Sequence, residues 1–309
     1  DRVRRAAGPV RVRRIAAGPL VAGLEARYRI AGVEVRLAVT LHADSPAARC
    51  ILDVDNRATD HRLRARVPTG LAGAPATAGA AFGAVSRPPV TVRAADFPLE
   101  TPVRAAPAHR FVAATDARHG LAVLAPGFFE YEWTPAGDWL VTLLRCVGQL
   151  SRDDLPTRPG HAGWPTATPG AQCLGSDRIE LALVPVTAAE VERGDALPQL
   201  WEDVFLPPRG VWLRNAGTLR PQPVELALEG SGLVLSAVKP AQVGTGTILR
   251  CYNATGVRVP GAWTSGVTFK TAHRVRADER ESQGLVIENR GRTVRFLAEA
   301  HEIVTILVT

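Results

Sequence analysis

Methionine is absent from all 309 residues, and lysine occurs only at Lys239 and Lys270. With Asp1 first and no Met, the start of translation is out of view, and a piece of a longer protein is expected. No apolar run approaches the roughly 18 residues that would span a bilayer as a helix. The opening DRVRRAAGPVRVRR lacks the apolar centre of a signal peptide, so neither a membrane role nor secretion has support and a cytoplasmic location is expected. The four cysteines, Cys50, Cys146, Cys173 and Cys251, form no CxxC pair, which disfavours structural zinc and favours free, mostly buried thiols. Seven histidines offer no His-x-His or His-x3-His pair, so no metal is expected on this chain. No GxSxG elbow occurs, which argues against a serine nucleophile.

Charge is plentiful but dispersed. The net charge of +7 and a pI near 9.9 could suit nucleic acid. Arginine is scattered along the whole chain, however, and no basic block is interleaved with aromatics, so nucleic acid is not expected as a partner. Hydrophobic residues make up 46% and charged residues 22%, the balance of a chain that folds.

Short alternating stretches such as VEVRLAVTL (Val33 to Leu41) and WLVTLL (Trp139 to Leu144) read as strands. Turn clusters separate them, among them Asp44-Ser45-Pro46, Ala125-Pro126-Gly127 and Pro135-Ala136-Gly137-Asp138. With 28 Gly and 24 Pro, long helices would be broken repeatedly, and an all-β sandwich architecture follows. Residues Gly70 to Ser86 (GLAGAPATAGAAFGAVS) read as a long loop or as two weak strands. A helical turn is expected from Thr187, with Glu190 in the capping-box position, cut short by Gly194 and Pro198. β alternation resumes after Val224 in VELALEG, GLVLSAVKP, GTILRCYN, GVTFKTAHRV and EIVTILVT. Two domains are expected, 1–215 and 216–309, with the boundary near residue 215.

The segment Leu143 to Gly175, LLRCVGQLSRDDLPTRPGHAGWPTATPGAQCLG, gathers Arg145, Arg152, Asp153, Asp154, Arg158 and His161 among glycines and prolines. Such a loop is long for a connector, which suits binding. Carboxylates accept from two sugar hydroxyls and guanidinium groups donate to two oxygens, so these residue types suit a carbohydrate. The same residues could instead be an Arg–Asp network that ties the loop to its own sheet. Trp164 is expected to be exposed in this loop, a possible sugar platform, whereas most other Trp residues are expected in cores. Asp153 and Asp154 are neighbours on an extended chain, so they cannot flank one glycosidic bond from opposite faces, and an independent hydrolase site is not expected here.

Several stretches, in order, resemble the carboxyl-terminal region of bacterial family 38 glycoside hydrolases, which include α-mannosidases and mannosylglycerate hydrolases. They are VDNRATDHRLRARVPTG (Val54 to Gly70), HGLAVLAPGFFEYEW (His119 to Trp133), the SRDDL and TPGAQCLG elements, and GLVLSAVKPAQVGTGTILRCYNATG (Gly232 to Gly256). The resemblance covers nearly the whole chain. It implies a large supersandwich of the galactose-mutarotase-like type followed by a small β-sandwich. In the family these stand behind an α/β catalytic barrel and a helical bundle. That barrel holds zinc on His and Asp side chains, an Asp nucleophile and an acid/base carboxylate, and its chemistry retains anomeric configuration. None of those motifs is found here, so this fragment is expected to carry no catalytic residue, no metal and no cofactor of its own, and to be inactive alone.

The resemblance further implies that the carboxyl-terminal region reaches back to the sugar pocket. Arg152 and Asp154 are the leading pocket-lining candidates, Asp153 next, with Arg158, His161 and Trp164 nearby. Leu155-Pro156-Thr157-Arg158 stands where eukaryotic relatives carry Asn-Arg-Gly, which leaves the contacting residue open among these. The partners so implied are a mannose-containing glycan or glycoside and the parent's own barrel and helical bundle. Two other readings remain: an autonomous carbohydrate-binding module, which would show a line of exposed Trp, and an aldose epimerase, which would need a His and a Glu facing each other in a groove.

Overall fold

The computed structural model describes residues 3–6, 10–88, 90–206, 210, 212, 225–242, 244–280 and 283–309. They form two compact units, one of residues 1–79 and 86–188, the other of residues 80–85 and 189–309. The expected boundary near residue 215 lies outside the described residues.

The large sheet is built from β1 (Arg11–Ala17), β2 (Val21–Ile30), β3 (Val33–His42), β4 (Ala48–Asn56), β5 (Arg62–Pro68), β6 (Ala76–Ala80) and β7 (Gly83–Arg87). After these come β8 (Ala105–Thr115), β9 (Gly120–Trp133) and β10 (Asp138–Arg145). Four two-residue strands follow, β11 (Gln149–Leu150), β12 (Asp154–Leu155), β13 (Arg158–Pro159) and β14 (Thr166–Ala167), before β15 (Gly175–Pro185). Apart from those four, all are joined in one sheet of order β1-β2-β3-β4-β15-β9-β8-β6-β7, with β10 and β5 branching from β9. The Ala- and Gly-rich stretch resolves as the β6–β7 pair rather than a loop.

The branch explains how one sheet makes its own core. Strand β9 pairs with β15 through Leu121 to Leu124 and with β10 through Tyr131 to Trp133. Between those two runs Gly127 takes φ +72°, where a Cβ is disfavoured, and the facing β8 slips register around Arg110, itself at φ +69°. The sheet turns there, and its two halves enclose one cluster. Val33, Val35, Leu52, Val54 and Leu181 come from one half, and Leu63, Tyr131, Trp133, Trp139 and Val141 from the other. Trp139 is fully buried, tilted against Trp133 at 4.2 Å and edge-on to Tyr131 at 5.6 Å.

Strand periodicity sends the alternate residues to the opposite face, and there the sheet is ionic. Glu25 of β2 has no exposed side-chain surface and is gripped by Arg13 Nε at 2.8 Å, Arg27 Nε at 2.9 Å and Arg36 Nε at 2.6 Å. Arg36 also pairs with Asp53 of β4, and Arg178 of β15 reaches Asp53 at 3.7 Å and Glu180 at 3.5 Å. A second run crosses the other half: Arg62 to Glu130 at 3.3 Å, Arg64 to Glu132 at 2.8 Å and Arg66 to Asp138 at 2.9 Å. Arg13 and Glu25, Arg36 and Asp53, and Arg66 and Asp138 sit opposite or diagonal to one another across antiparallel pairs, the geometry in which unlike charges stabilise a sheet, whereas Arg62 and Arg64 of β5 reach the β9 carboxylates across the intervening β10.

The second unit begins with two helices, α1 (Ala188–Arg193) and α2 (Ala196–Phe205). Gly194, at φ +83°, ends the first as expected. Pro198 does not end the second, because it falls in the first turn, where backbone N–H groups have no partner in the helix to lose. The remaining strands are β16 (Leu226–Glu229), β17 (Leu233–Pro240), β18 (Thr247–Asn253), β19 (Val259–Ser265), β20 (Ala272–Val275), β21 (Gln283–Gly284), β22 (Ile287–Glu288), β23 (Thr293–Ala298) and β24 (Ile303–Val308). They form two sheets, β16-β19-β23-β22 and β17-β18-β24-β20-β21. Trp263, Val294 and Phe296 of the first sheet pack with Leu249, Cys251, Val304 and Ile306 of the second in one core, a small β-sandwich.

Two outcomes test this account. Replacing Trp139 by Ala should cost about 3–5 kcal/mol in urea unfolding, as for other buried aromatics. Trp139→Phe should cost far less, because the indole N–H it removes has no hydrogen-bond partner in the core. The ionic face has a pH signature. The Arg13 and Arg36 guanidiniums lower the Glu25 carboxyl far below its ordinary range, against an opposing burial effect. Its stabilisation is therefore complete above the ordinary carboxylate pKa and is lost only as pH falls through the depressed one. Glu25→Gln should lower the melting temperature at pH 7, and the gap to the native chain should close progressively in acid.

Candidate functional site

Residues 146–174, between β10 and β15, fold into a nested ribbon. Strand β11 pairs antiparallel with β14, and within that frame β12 pairs with β13. The loop is thus ordered by its own backbone bonds, and it carries all six candidate residues: Arg152, Asp153, Asp154, Arg158, His161 and Trp164.

At its tip Arg152 donates from Nε and Nη2 to the two carboxylate oxygens of Asp154, at 2.7 and 2.6 Å, a two-pronged pair with both side chains exposed. The pair lowers the Asp154 carboxyl and raises the Arg152 guanidinium, chiefly through those hydrogen bonds. Asp153 turns to another partner, His161 Nε2 at 3.6 Å, while the other ring nitrogen of His161 lies beside the Ser151 carbonyl. Ser151 adopts φ +54° and exchanges two 2.7 Å hydrogen bonds with the backbone of Gly163, which closes the tip. Two pairs therefore form, Arg152 with Asp154 and Asp153 with His161. Arg158 is half-buried on β13 with no partner for its Nε, and Trp164 stands 90% exposed.

The root of the loop is buried and was not legible as a site feature. Asn56, at the end of β4, donates from Nδ2 to the carbonyls of Gln172 at 3.1 Å and Cys173 at 2.9 Å, and accepts from Ala58 N at 3.0 Å. Gln172 in turn donates to Asp60 Oδ1 at 3.0 Å and accepts from Asp60 N at 2.8 Å. That donation, with a second from the Gly148 backbone, lowers the Asp60 carboxyl. Across the two legs Val147 N donates to Ala171 O at 2.9 Å and Thr168 N to Gly148 O at 2.9 Å. A strand-end Asn opening the turn Asn56-Arg57-Ala58-Thr59-Asp60 was the available signal, because Asn commonly closes turns with its side chain.

Apolar side chains stand exposed on and beside this loop: Leu150, Leu155 and Trp164 within it, and Phe97, Leu99 and Val103 on a segment tied to it by Thr101 N donating to Thr157 O at 2.7 Å. Two shallow depressions occur elsewhere in the first unit. One, of about 400 Å³, is lined by Phe129, Thr142, Arg178 and Glu180; the other, of about 340 Å³, by Pro107, Glu130 and Arg145. Neither has a histidine in its lining, so neither offers the His and Glu pair of an epimerase. The exposed tryptophans, Trp164 and Trp212, belong to different units and form no line along either one. Among the described residues no group of three His, Cys, Asp or Glu side chains converges to hold a metal ion.

The model of the glycosyl hydrolases family 38 C-terminal domain matches residues 2–154, and that of the family 38 C-terminal beta sandwich domain matches residues 232–306. This chain belongs to glycosyl hydrolase family 38, as a carboxyl-terminal region. A protein of Halalkalibacterium halodurans named "Putative mannosylglycerate hydrolase" is 29% identical over 224 residues, 72% of this chain and 23% of that protein. Two solved structures from Enterococcus faecalis share the fold at 20% identity. A family 38 glycosyl hydrolase gives a TM-score of 0.76 over 97% of this chain and 36% of its own. An α-mannosidase gives 0.75 over 97% of this chain and 35% of its own. The chain thus spans about a third or less of the length of these relatives.

The root makes a specific prediction. Asn56→Ala leaves two carbonyls and one amide without their partner and should cost about 1–3 kcal/mol. Hydrogen exchange should rise in residues 146–174 more than in β3 or β10.

Proposed function

We propose that this region is the non-catalytic carboxyl-terminal part of a family 38 α-mannosidase-like glycosidase, and that it buttresses the catalytic barrel and completes its sugar pocket with the 146–174 loop. The observation that carries the reading is the loop itself. It presents a forked Arg152–Asp154 pair, an Asp153–His161 pair and an exposed indole on a ribbon of paired strands, the groups that hold sugar hydroxyls and pack on sugar rings. The exposed apolar residues around it suit burial against the rest of a larger enzyme, because patches of this kind mark interaction surfaces. The partners proposed are the parent's barrel and helical bundle and a mannose-containing glycan. Zinc and the retaining chemistry belong to the parent's barrel, and a cytoplasmic location goes with the same reading.

In this role the loop positions rather than reacts. With Nε and Nη2 of Arg152 engaged by Asp154, Nη1 remains to donate to a sugar oxygen, while lone pairs on the Asp154 carboxylate accept from hydroxyls. Because the ion pair pre-sets both side chains, less rotamer freedom is lost when a sugar arrives.

The test is release of p-nitrophenol from p-nitrophenyl α-mannoside with zinc present, comparing residues 1–309 with the full-length parent. Turnover is expected only from the parent. In the parent, Arg152→Ala should lower kcat/KM about ten- to a hundredfold, the worth of one or two charge-assisted hydrogen bonds, mostly through KM. Hydrolysis by the fragment alone would overturn the non-catalytic assignment, and an unchanged KM in Arg152→Ala would remove the loop from the pocket.

A further inference from the structure

The candidate loop is bracketed by two cysteines. Cys146 follows the last residue of β10, and Cys173 lies two residues before β15. Both converge on one side-chain amide: Asn56 Nδ2 lies 3.5 Å from Cys146 Sγ and 2.9 Å from the Cys173 carbonyl oxygen. The Cys173 thiol lies 4.0 Å from the carbonyl oxygen of Arg145, the residue bonded to Cys146, and 3.6 Å from that of Ala171. One residue inward from Cys146 and two inward from Cys173 the legs are joined by the Val147 to Ala171 backbone bond, so positions 146 and 173 are held in neighbouring registers.

The two thiols differ in access, one open to a soluble oxidant and the other held behind it. Cys173 is exposed, whereas Cys146 is buried. Burial first, and then the neighbouring Cys173 thiol, push the Cys146 thiol above its ordinary value. Cys173 also occupies a left-handed conformation, φ +49° and ψ +43°, where glycine or asparagine would fit at less cost. A cysteine there places its sulfur toward the other leg. Cys50 and Cys251 lie elsewhere, Cys251 fully buried with its thiol pushed up to about 12 by that burial.

We infer that Cys146 and Cys173 form a thiol-oxidation site, a pair that closes to a disulfide across the root of the loop when met by a low-molecular-weight disulfide such as oxidised glutathione. The Cys173 thiolate attacks one glutathione sulfur, the glutathione S–S bond breaks, and the departing glutathione thiolate takes up a proton. The Cys146 thiolate then attacks the Cys173 sulfur of the mixed disulfide and releases the second glutathione. Two protein thiols are oxidised and one glutathione disulfide is reduced to two glutathiones. The product closes residues 146–173 into a ring that contains all six candidate residues, and long closed loops are those whose unfolded state a crosslink restricts most. In a reducing compartment the pair rests as free thiols.

The inference does not depend on the glycosidase reading, because its readouts are covalent. The protein is incubated with oxidised glutathione, then alkylated, digested without reduction and mapped by mass spectrometry. The expected result is a Cys146–Cys173 linked peptide, a loss of two hydrogens in intact mass, and a melting temperature several degrees above that of the dithiol form, reversed by dithiothreitol. Cys173→Ser, a change at an exposed position, should abolish both the link and the shift. In Cys146→Ser, glutathione should accumulate on Cys173. Persistent glutathione on Cys173 of the unsubstituted protein with Cys146 still alkylatable, or a link involving Cys50 or Cys251, would overturn the assignment.

Discussion

A buried amide, that of Asn56, joins the large sheet to the loop that gives this region its functional interest. Its two N–H groups and its oxygen are all engaged, and together they fix where β4 ends, how the next turn begins and where the returning leg of the loop lies. Inside a protein each such bond gains little over water, yet leaving any of the three groups unmet costs much more, so the arrangement holds as a unit. The second unit repeats the device. Asn253, wholly buried at the end of β18, donates to the carbonyls of Val257 and Glu299 and accepts from Thr255. In both units a strand end is locked by a side chain that satisfies the backbone of a turn.

Around that root, the first unit divides its labour between the faces of one sheet. The inward face supplies aliphatic and indole surface, and the outward face is a ladder of arginines and carboxylates. Part of its abundant arginine, which in a composition table could suggest phosphate binding, is engaged by carboxylates of other strands in the sheet. Arginine suits that task better than lysine because its planar fork can serve two acceptors at once, as Arg36 does for Glu25 and Asp53. The loop tip uses the same chemistry in the open, where the Arg152–Asp154 pair is exposed and available to a ligand.

Local patterns carried much of the fold. VEVRLAVTL and WLVTLL are strands because their alternation matches a sheet with one dry face, and the all-β class followed from that together with the turn residues. Besides the two-residue β21 and β22, two strands of the small sandwich went unread: β19, where Pro260 and Gly261 dilute the pattern, and β23, whose TVRFLA run is short. The division of β9 between two partners was invisible because pairing is a long-range property, and only the Ala125-Pro126-Gly127 turn signal within it hinted at the bend. At the site, charged residues among glycines and prolines marked the loop. Its root was hidden because Asn56, Asp60 and Gln172 stand far apart in sequence and meet only after the sheet has formed.

In the function proposed for this region, the loop meets sugar in the assembled enzyme. Hydrogen exchange of the full-length parent, followed with and without a mannoside inhibitor, addresses it directly. Slowed exchange in residues 149–166 on addition of the inhibitor, with no such change in residues 1–309 alone, is the predicted result. Exchange in that segment that ignores the inhibitor in the full-length enzyme would contradict it.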